Sequence, residues 1–217
     1  MSLDRRSFVI SAAAGGLLLA CHRTGDDGGG DDVTPVEDLM REHGVLRRVM
    51  YLYDEAAVRI DSQRHVPLDA VVGAATIIRR VIEDYHEKLE EELLFPRFEA
   101  AGQLVSLTTT LRRQHEVGRQ ITDDILLRAN GPDRPRLAAA LRRFNHMYRA
   151  HADREDTVLF PAVRKLVGSH AYDEMGEQFE DKERDKLGEG GFEHAVAEVA
   201  TLEQIFGVAD LAALTPA

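Results

Sequence analysis

Along most of this chain apolar side chains recur at intervals of three and four, the spacing that gathers them on one face of an α-helix. Leu39, His43, Leu46, Met50 and Tyr53 mark the first such stripe. Ahead of it stands Thr34-Pro35-Val36-Glu37: a capping hydroxyl, a proline at the first helical position and a glutamate that can return the capping bond. A helix from Pro35 to about Asp61 follows, and Gln63–Val66 is its turn. Pro67 opens a second helix to about Ala100, with Val71, Ala74, Ile78, Ile82, His86 and Leu89 on its buried face, and Gly102 stops it. A third takes about Gln103–Ala129, with Leu104, Leu107, Leu111, His115 and Ile125 inward. Asn130-Gly131-Pro132-Asp133 is a turn. The fourth runs from about Arg134 to Val167, with Leu137, Leu141, Phe144, His151 and Val158 inward. No alternating strand pattern interrupts them. The prediction is an all-α, up-down four-helix bundle over residues 35–167. Pro96 and Pro161 sit late in the second and fourth helices, where each should kink or loosen the preceding turn.

The segments outside the bundle read differently. In 168–217, Tyr172–Lys186 is acidic and helix-compatible, Gly188-Glu189-Gly190-Gly191 breaks it, and Phe192–Phe206 carries Phe192, Val196, Val199, Leu202 and Phe206 at helical spacing. Two accessory helices packed on the bundle are expected. At the other end, Asp4-Arg5-Arg6-Ser7-Phe8 resembles a twin-arginine export signal, and the apolar run Phe8–Ala20 is short for a bilayer span. Leu18-Leu19-Ala20-Cys21 resembles a lipoprotein cleavage box, so residues 1–21 are expected to direct export and lipid attachment at Cys21. The implied location is periplasmic or otherwise extracytoplasmic, anchored to the membrane. Cys21 is the only cysteine, which rules out an intramolecular disulfide. Residues 22–34 contain GDDGGGDD, a flexible tether by composition.

Two eleven-residue stretches carry the chemistry: His86–Pro96, HEKLEEELLFP, and His151–Pro161, HADREDTVLFP. Each has His, then Glu four residues on, then Leu-Phe-Pro. One helical turn puts His86 beside Glu90 and His151 beside Glu155, so each pair can reach one metal ion. A second echo, REHGVLRRV at Arg41–Val49 and RQHEVGRQI at Arg113–Ile121, aligns His43 with His115 and Arg47 with Arg119. The chain is internally duplicated, each half a hairpin giving one His from its first helix and a His/Glu pair from its second. His43, His86, Glu90, His115, His151 and Glu155 are therefore the candidate metal ligands.

This pattern resembles the hemerythrin-like, or HHE cation-binding, family. The resemblance covers about residues 35–167 and is most specific at the two His-x3-Glu motifs followed by Leu-Phe-Pro. It implies a four-helix bundle around a non-haem centre of two iron ions, bridged by the two glutamates. It also implies a small oxidant as partner: dioxygen, nitric oxide or peroxide, bound for sensing, storage or scavenging. Oxygen-carrying hemerythrins have a further His one turn after the third-helix His; Arg119 stands there, facing the metal by helical spacing. Reversible oxygen carriage is therefore not the expectation, and the affected iron should be the more open one. A peroxidase or oxidase and an iron-holding structural bundle are the alternatives, with Tyr53, Tyr85 and Tyr148 as candidate proton or electron donors for the enzyme.

Other readings of the same residues compete. Asp156, at +5 from His151, rivals Glu155, with repeat symmetry favouring Glu155. Glu83-x2-His86 matches the Glu-x-x-His motif of ferritin-like bundles, but Tyr148 occupies the equivalent position before His151. His146 could face the site. Glu87, Glu116 and most of the run Glu87–Glu92 read as a solvated face, with Glu90 alone turned inward. The formal charge of -11 argues against nucleic acid as a partner.

Overall fold

The computed structural model describes residues 33–216. The export segment, the lipobox and nearly all of the Gly/Asp tether lie outside the described residues. Within them the chain is all-α, with six helices and no strand.

Helix α1 is Pro35–Asp61, capped by the Thr34 hydroxyl accepting from the Glu37 amide at 3.3 Å. Helix α2 runs over residues 68–100 as consecutive α and π pieces: Leu68–Ile77, the π segment Ile78–His86, Glu87–Leu89, the π segment Glu90–Leu94, and Phe95–Ala100. Helix α3 is Val105–Ala129. It starts later than the apolar pattern suggests because Leu104 takes a left-handed conformation, φ 51°, and turns the chain. Helix α4 runs over residues 134–167, with a π segment at Glu155–Leu159 between Arg134–Arg154 and Phe160–Val167. Asp133 caps it, accepting from the Arg136 amide. Helices α5, Ser169–Leu187, and α6, Gly191–Phe206, complete the set. Among the described residues no helix is long and apolar enough to cross a membrane.

Each of α1 and α3 packs against both α2 and α4, which closes the four-helix ring. Helix α5 lies on α1, α2 and the end of α4, while α6 lies on α1 and α2. The apolar interior falls into two clusters. One holds Val45, Val49, Tyr53, Ile78, Ile125, Leu141 and Phe144, closed by Val199 and Phe206 of α6. The other holds Leu39, Leu89, Phe95, Phe98, Leu111 and Phe160, closed by Met175 and Phe179 of α5. His43, His86, His115 and His151 occur in sequence at the junction of the two, all buried.

Two of the three π segments have an identifiable cause. Proline offers no amide hydrogen and its ring crowds the carbonyl four residues back, so the turn before it cannot close as α. The π segments Glu90–Leu94 and Glu155–Leu159 each end two residues before a proline, Pro96 and Pro161. The wider turn changes which residues face in. Val158, inward by α-helical spacing, is only half-buried, while Leu159 and Phe160 are fully enclosed.

Candidate metal centre

The six residues singled out by the repeats are all buried and come together at mid-bundle. Single donor atoms of Glu90, His115, His151 and Glu155 lie within 4.8 Å of one another, and so do those of His43, His86 and Glu155. Glu155 belongs to both groups. Its Oε2 is 3.1 Å from His151 Nε2 and 3.4 Å from His43 Nε2. Glu90 Oε2 stands 3.4 Å from His115 Nε2 and 3.7 Å from His86 Nε2. Each glutamate therefore faces one imidazole from each half of the duplicated chain.

All four rings are oriented alike. His43 Nδ1 is 2.7 Å from Asp156, His86 Nδ1 2.6 Å from Glu42, His115 Nδ1 3.0 Å from Glu91 and His151 Nδ1 2.9 Å from Gln114. In a neutral ring, an acceptor on Nδ1 fixes the proton there and leaves Nε2 with its lone pair pointing inward, the arrangement that ligating histidines use. The four holders obey the internal repeat: Glu42 corresponds to Gln114 and Glu91 to Asp156. Repetition extends outward again, since Arg47 grips Asp156 and Arg119 grips Glu91, the latter at 2.6 Å. It extends to the Leu-Phe-Pro motif too. Phe160 stacks on His43 and Phe95 on His115, at ring separations of 5.4 and 5.6 Å.

Several residues take positions that the sequence pattern did not indicate. Asp156, the rival to Glu155, binds the outer nitrogen of His43 rather than joining the clustered donors. Glu87 is not on a wet face but fully buried, accepting from the Tyr148 hydroxyl at 2.7 Å. Glu91 is half-buried, so Glu90 is not alone in turning inward. Arg119 Nη2 lies 2.8 Å from Glu87 and 2.6 Å from Glu91, so its guanidinium serves the carboxylates behind His115 instead of entering the cluster. Glu83 takes the Thr122 hydroxyl and the Arg79 guanidinium, away from the clustered donors. His146 is exposed. Glu42 and Gln114 carry no motif of their own; each precedes a candidate histidine, and the duplication is the signal that points to them.

The electrostatics are those of a site waiting for positive charge. Burial holds the His86 imidazole well below its usual range and brings His115 down to about 4, so both are neutral at pH 7. Burial would lower His43 as well, but Asp156 and Glu155 lift it to about 9. The two glutamates split. Burial, then the charge of Glu155, raises Glu90 well above the carboxylate range. Burial would raise Glu155 as well, yet His151 and His43 hold it well below that range. His43 Nε2, His86 Nε2 and both carboxylate oxygens of Glu90 and Glu155 are buried with no hydrogen-bond partner. Orphaned buried atoms of this kind are costly unless something not made of protein satisfies them. Imidazole and carboxylate donors suit iron, manganese or zinc.

Over residues 34–163 the sequence matches the hemerythrin HHE cation binding domain. The chain belongs to that family. Its membership accounts for metal binding by a His/Glu cluster inside a helical bundle. Among similar proteins, an uncharacterized protein of Mycobacterium tuberculosis is 40% identical over 98% of this chain and 90% of its own length. An uncharacterized protein of Mycobacterium bovis matches to the same extent. A second uncharacterized Mycobacterium tuberculosis protein is 28% identical over 66% of this chain and 79% of its own. No solved structure gives a significant match. As a hemerythrin-family bundle, the chain carries α5 and α6 outside the matched domain.

Proposed function

We propose that this protein is a non-haem di-iron protein that binds dioxygen or a related small oxidant, nitric oxide and peroxide included, for sensing, storage or scavenging. His43 and His86 would hold one iron, His115 and His151 the other, with Glu90 and Glu155 shared between them. The observation that carries this reading is the convergence of four outward-anchored imidazoles on two buried carboxylates whose oxygens have no hydrogen-bond partner. When bound, two iron ions would supply redox chemistry and the coordination positions that six protein ligands leave open.

The chain's own residues do the remainder. Glu42, Gln114, Glu91 and Asp156 lock ring orientation and tautomer. Phe95 and Phe160 cover the faces of His115 and His43 against water. Purified in air, the protein should show a visible absorption that bleaches on reduction and returns with oxygen. A spectrum indifferent to reduction would leave only the structural metal bundle.

One observation favours an enzyme as the second reading. Tyr148 donates to the buried Glu87 and its ring stands edge-on to His151, at 5.4 Å between centroids, so a proton donor is at hand. Steady turnover of peroxide, lost in Tyr148→Phe, would establish it. We further propose export through Arg5 and Arg6 and lipid attachment at Cys21; Cys21→Ser should release the protein from the membrane fraction.

A further inference from the structure

A line of acidic side chains leads from the histidine cluster to the surface, its members increasingly exposed. At its inner end is Glu42, which holds His86 Nδ1 with one oxygen while the other is buried with no hydrogen-bond partner. The Tyr85 hydroxyl beside it is equally buried and unpartnered. One turn earlier on α1 comes Asp38, its side chain 13% exposed. Helix α5 contributes the half-buried Glu183 and the exposed Glu180. Both line, with Glu189, Glu193 and one cation, Arg184, a shallow cavity of about 210 Å³ between α5 and α6.

These groups feel one another. Burial first, then Glu42, Glu183 and Glu180, push Asp38 up to about 7, and Arg41, 3.7 Å from both Asp38 and Glu193, opposes them. Carboxylates crowded together and partly dry need protons or a cation for company. All-oxygen surroundings are what hard divalent cations take. The line also ends on the nitrogen behind a candidate iron ligand.

We propose that Glu180, Glu183, Asp38 and Glu42 form an entry path along which divalent cations, ferrous iron among them, pass from the α5–α6 surface to the histidine cluster. The inference rests on the reading of that cluster as a metal centre. It gives the C-terminal extension a role, since α5 lies outside the matched family domain and supplies the outer half of the path.

The test is the rate of metal uptake. Metal-free full-length protein is mixed anaerobically with ferrous iron, and uptake is followed by stopped-flow absorbance of a competing chelator. Final stoichiometry is measured separately. The double variant Asp38→Asn/Glu183→Gln should load at least tenfold more slowly and reach the same final metal content. Glutamine at 183 still accepts from the Phe192 amide, now made by Glu183 at 2.8 Å, so the start of α6 is preserved. Glu180→Lys changes only an exposed residue and should also slow loading, more so at low ionic strength. Wild-type loading rates in both proteins, at full stoichiometry, would overturn the path and leave the metal centre intact. Failure of the wild type to take up any metal would remove both.

Discussion

At the scale of single residues, the division of labour between neighbouring carboxylates decides the chemistry. Glu155 and Asp156 adjoin in sequence and both touch His43, one at Nε2 and the other at Nδ1. Glu90 and Glu91 repeat this around His115. The inner carboxylate of each pair is placed to bind a cation, and the outer one sets the ring. Removing an outer partner should therefore weaken binding without abolishing it. Asp156→Ala is expected to lower metal affinity about 10- to 100-fold, the usual cost of losing a group that orients a ligating imidazole. Asp156→Asn, which retains an acceptor, should recover most of that loss. Competition titration against a chelator of known affinity measures both; equal and complete loss in the two variants would make Asp156 a direct ligand.

At the scale of elements, two features set where these residues stand. Each π turn, before Pro96 and Pro161, opens at the inner acid of a pair, Glu90 or Glu155, and the consecutive acids there meet opposite nitrogens of one histidine. Gly118, on α3, makes room for the neighbouring helix. A methyl group there would lie 2.0 Å from the Tyr148 hydroxyl, inside contact distance, so α3 and α4 approach closely only because residue 118 has no side chain. Gly118→Ala should cost about 1–3 kcal/mol by overpacking and displace Tyr148 from Glu87. Thermal melts of the variant check this; Tyr148→Phe should not rescue it, because the ring carbon Cζ would still lie 2.7 Å from the new methyl group and Glu87 would lose its donor. Helix positions and the inward histidines were legible beforehand because a 3.6-residue period and an exact internal repeat are properties of sequence. The burial of Glu87, the tilt that withdraws Val158 and the late start of α3 were not. They depend on π turns, a left-handed Leu104 and a tyrosine partner from another helix, none of which leaves a periodic trace.

At the scale of the whole molecule, α5 and α6 are joined to the bundle by apolar contact and by charge. Met175 and Phe179 close one apolar cluster and Val199 and Phe206 the other, while Arg48 pairs with both oxygens of Glu203. The same docking forces acidic faces together, and its cost is visible at Asp38, raised from 3.8 to about 7. A carboxyl raised on folding binds its proton more tightly in the folded state, so its stabilising protonation is fully present below the unfolded value. It is lost as pH rises from about 4 towards 7. Metal-free protein should accordingly lose stability across that window. Asp38→Asn should be the more stable form at pH 8 by roughly 2 kcal/mol, half the full equivalent of the shift because the site is partly wet. Urea unfolding at pH 5 and pH 8 tests this, and an advantage for the variant that is the same at both values would contradict it.

All of this turns on whether the converging imidazoles and carboxylates hold two iron ions. The most direct measurement is elemental analysis of the purified chain beside His86→Ala, Glu90→Ala, His151→Ala and Glu155→Ala. The structure-based account predicts about two irons per chain in the wild type and reduced occupancy in each variant, most severely at Glu155, which belongs to both donor groups. Two irons retained in all four variants would contradict it.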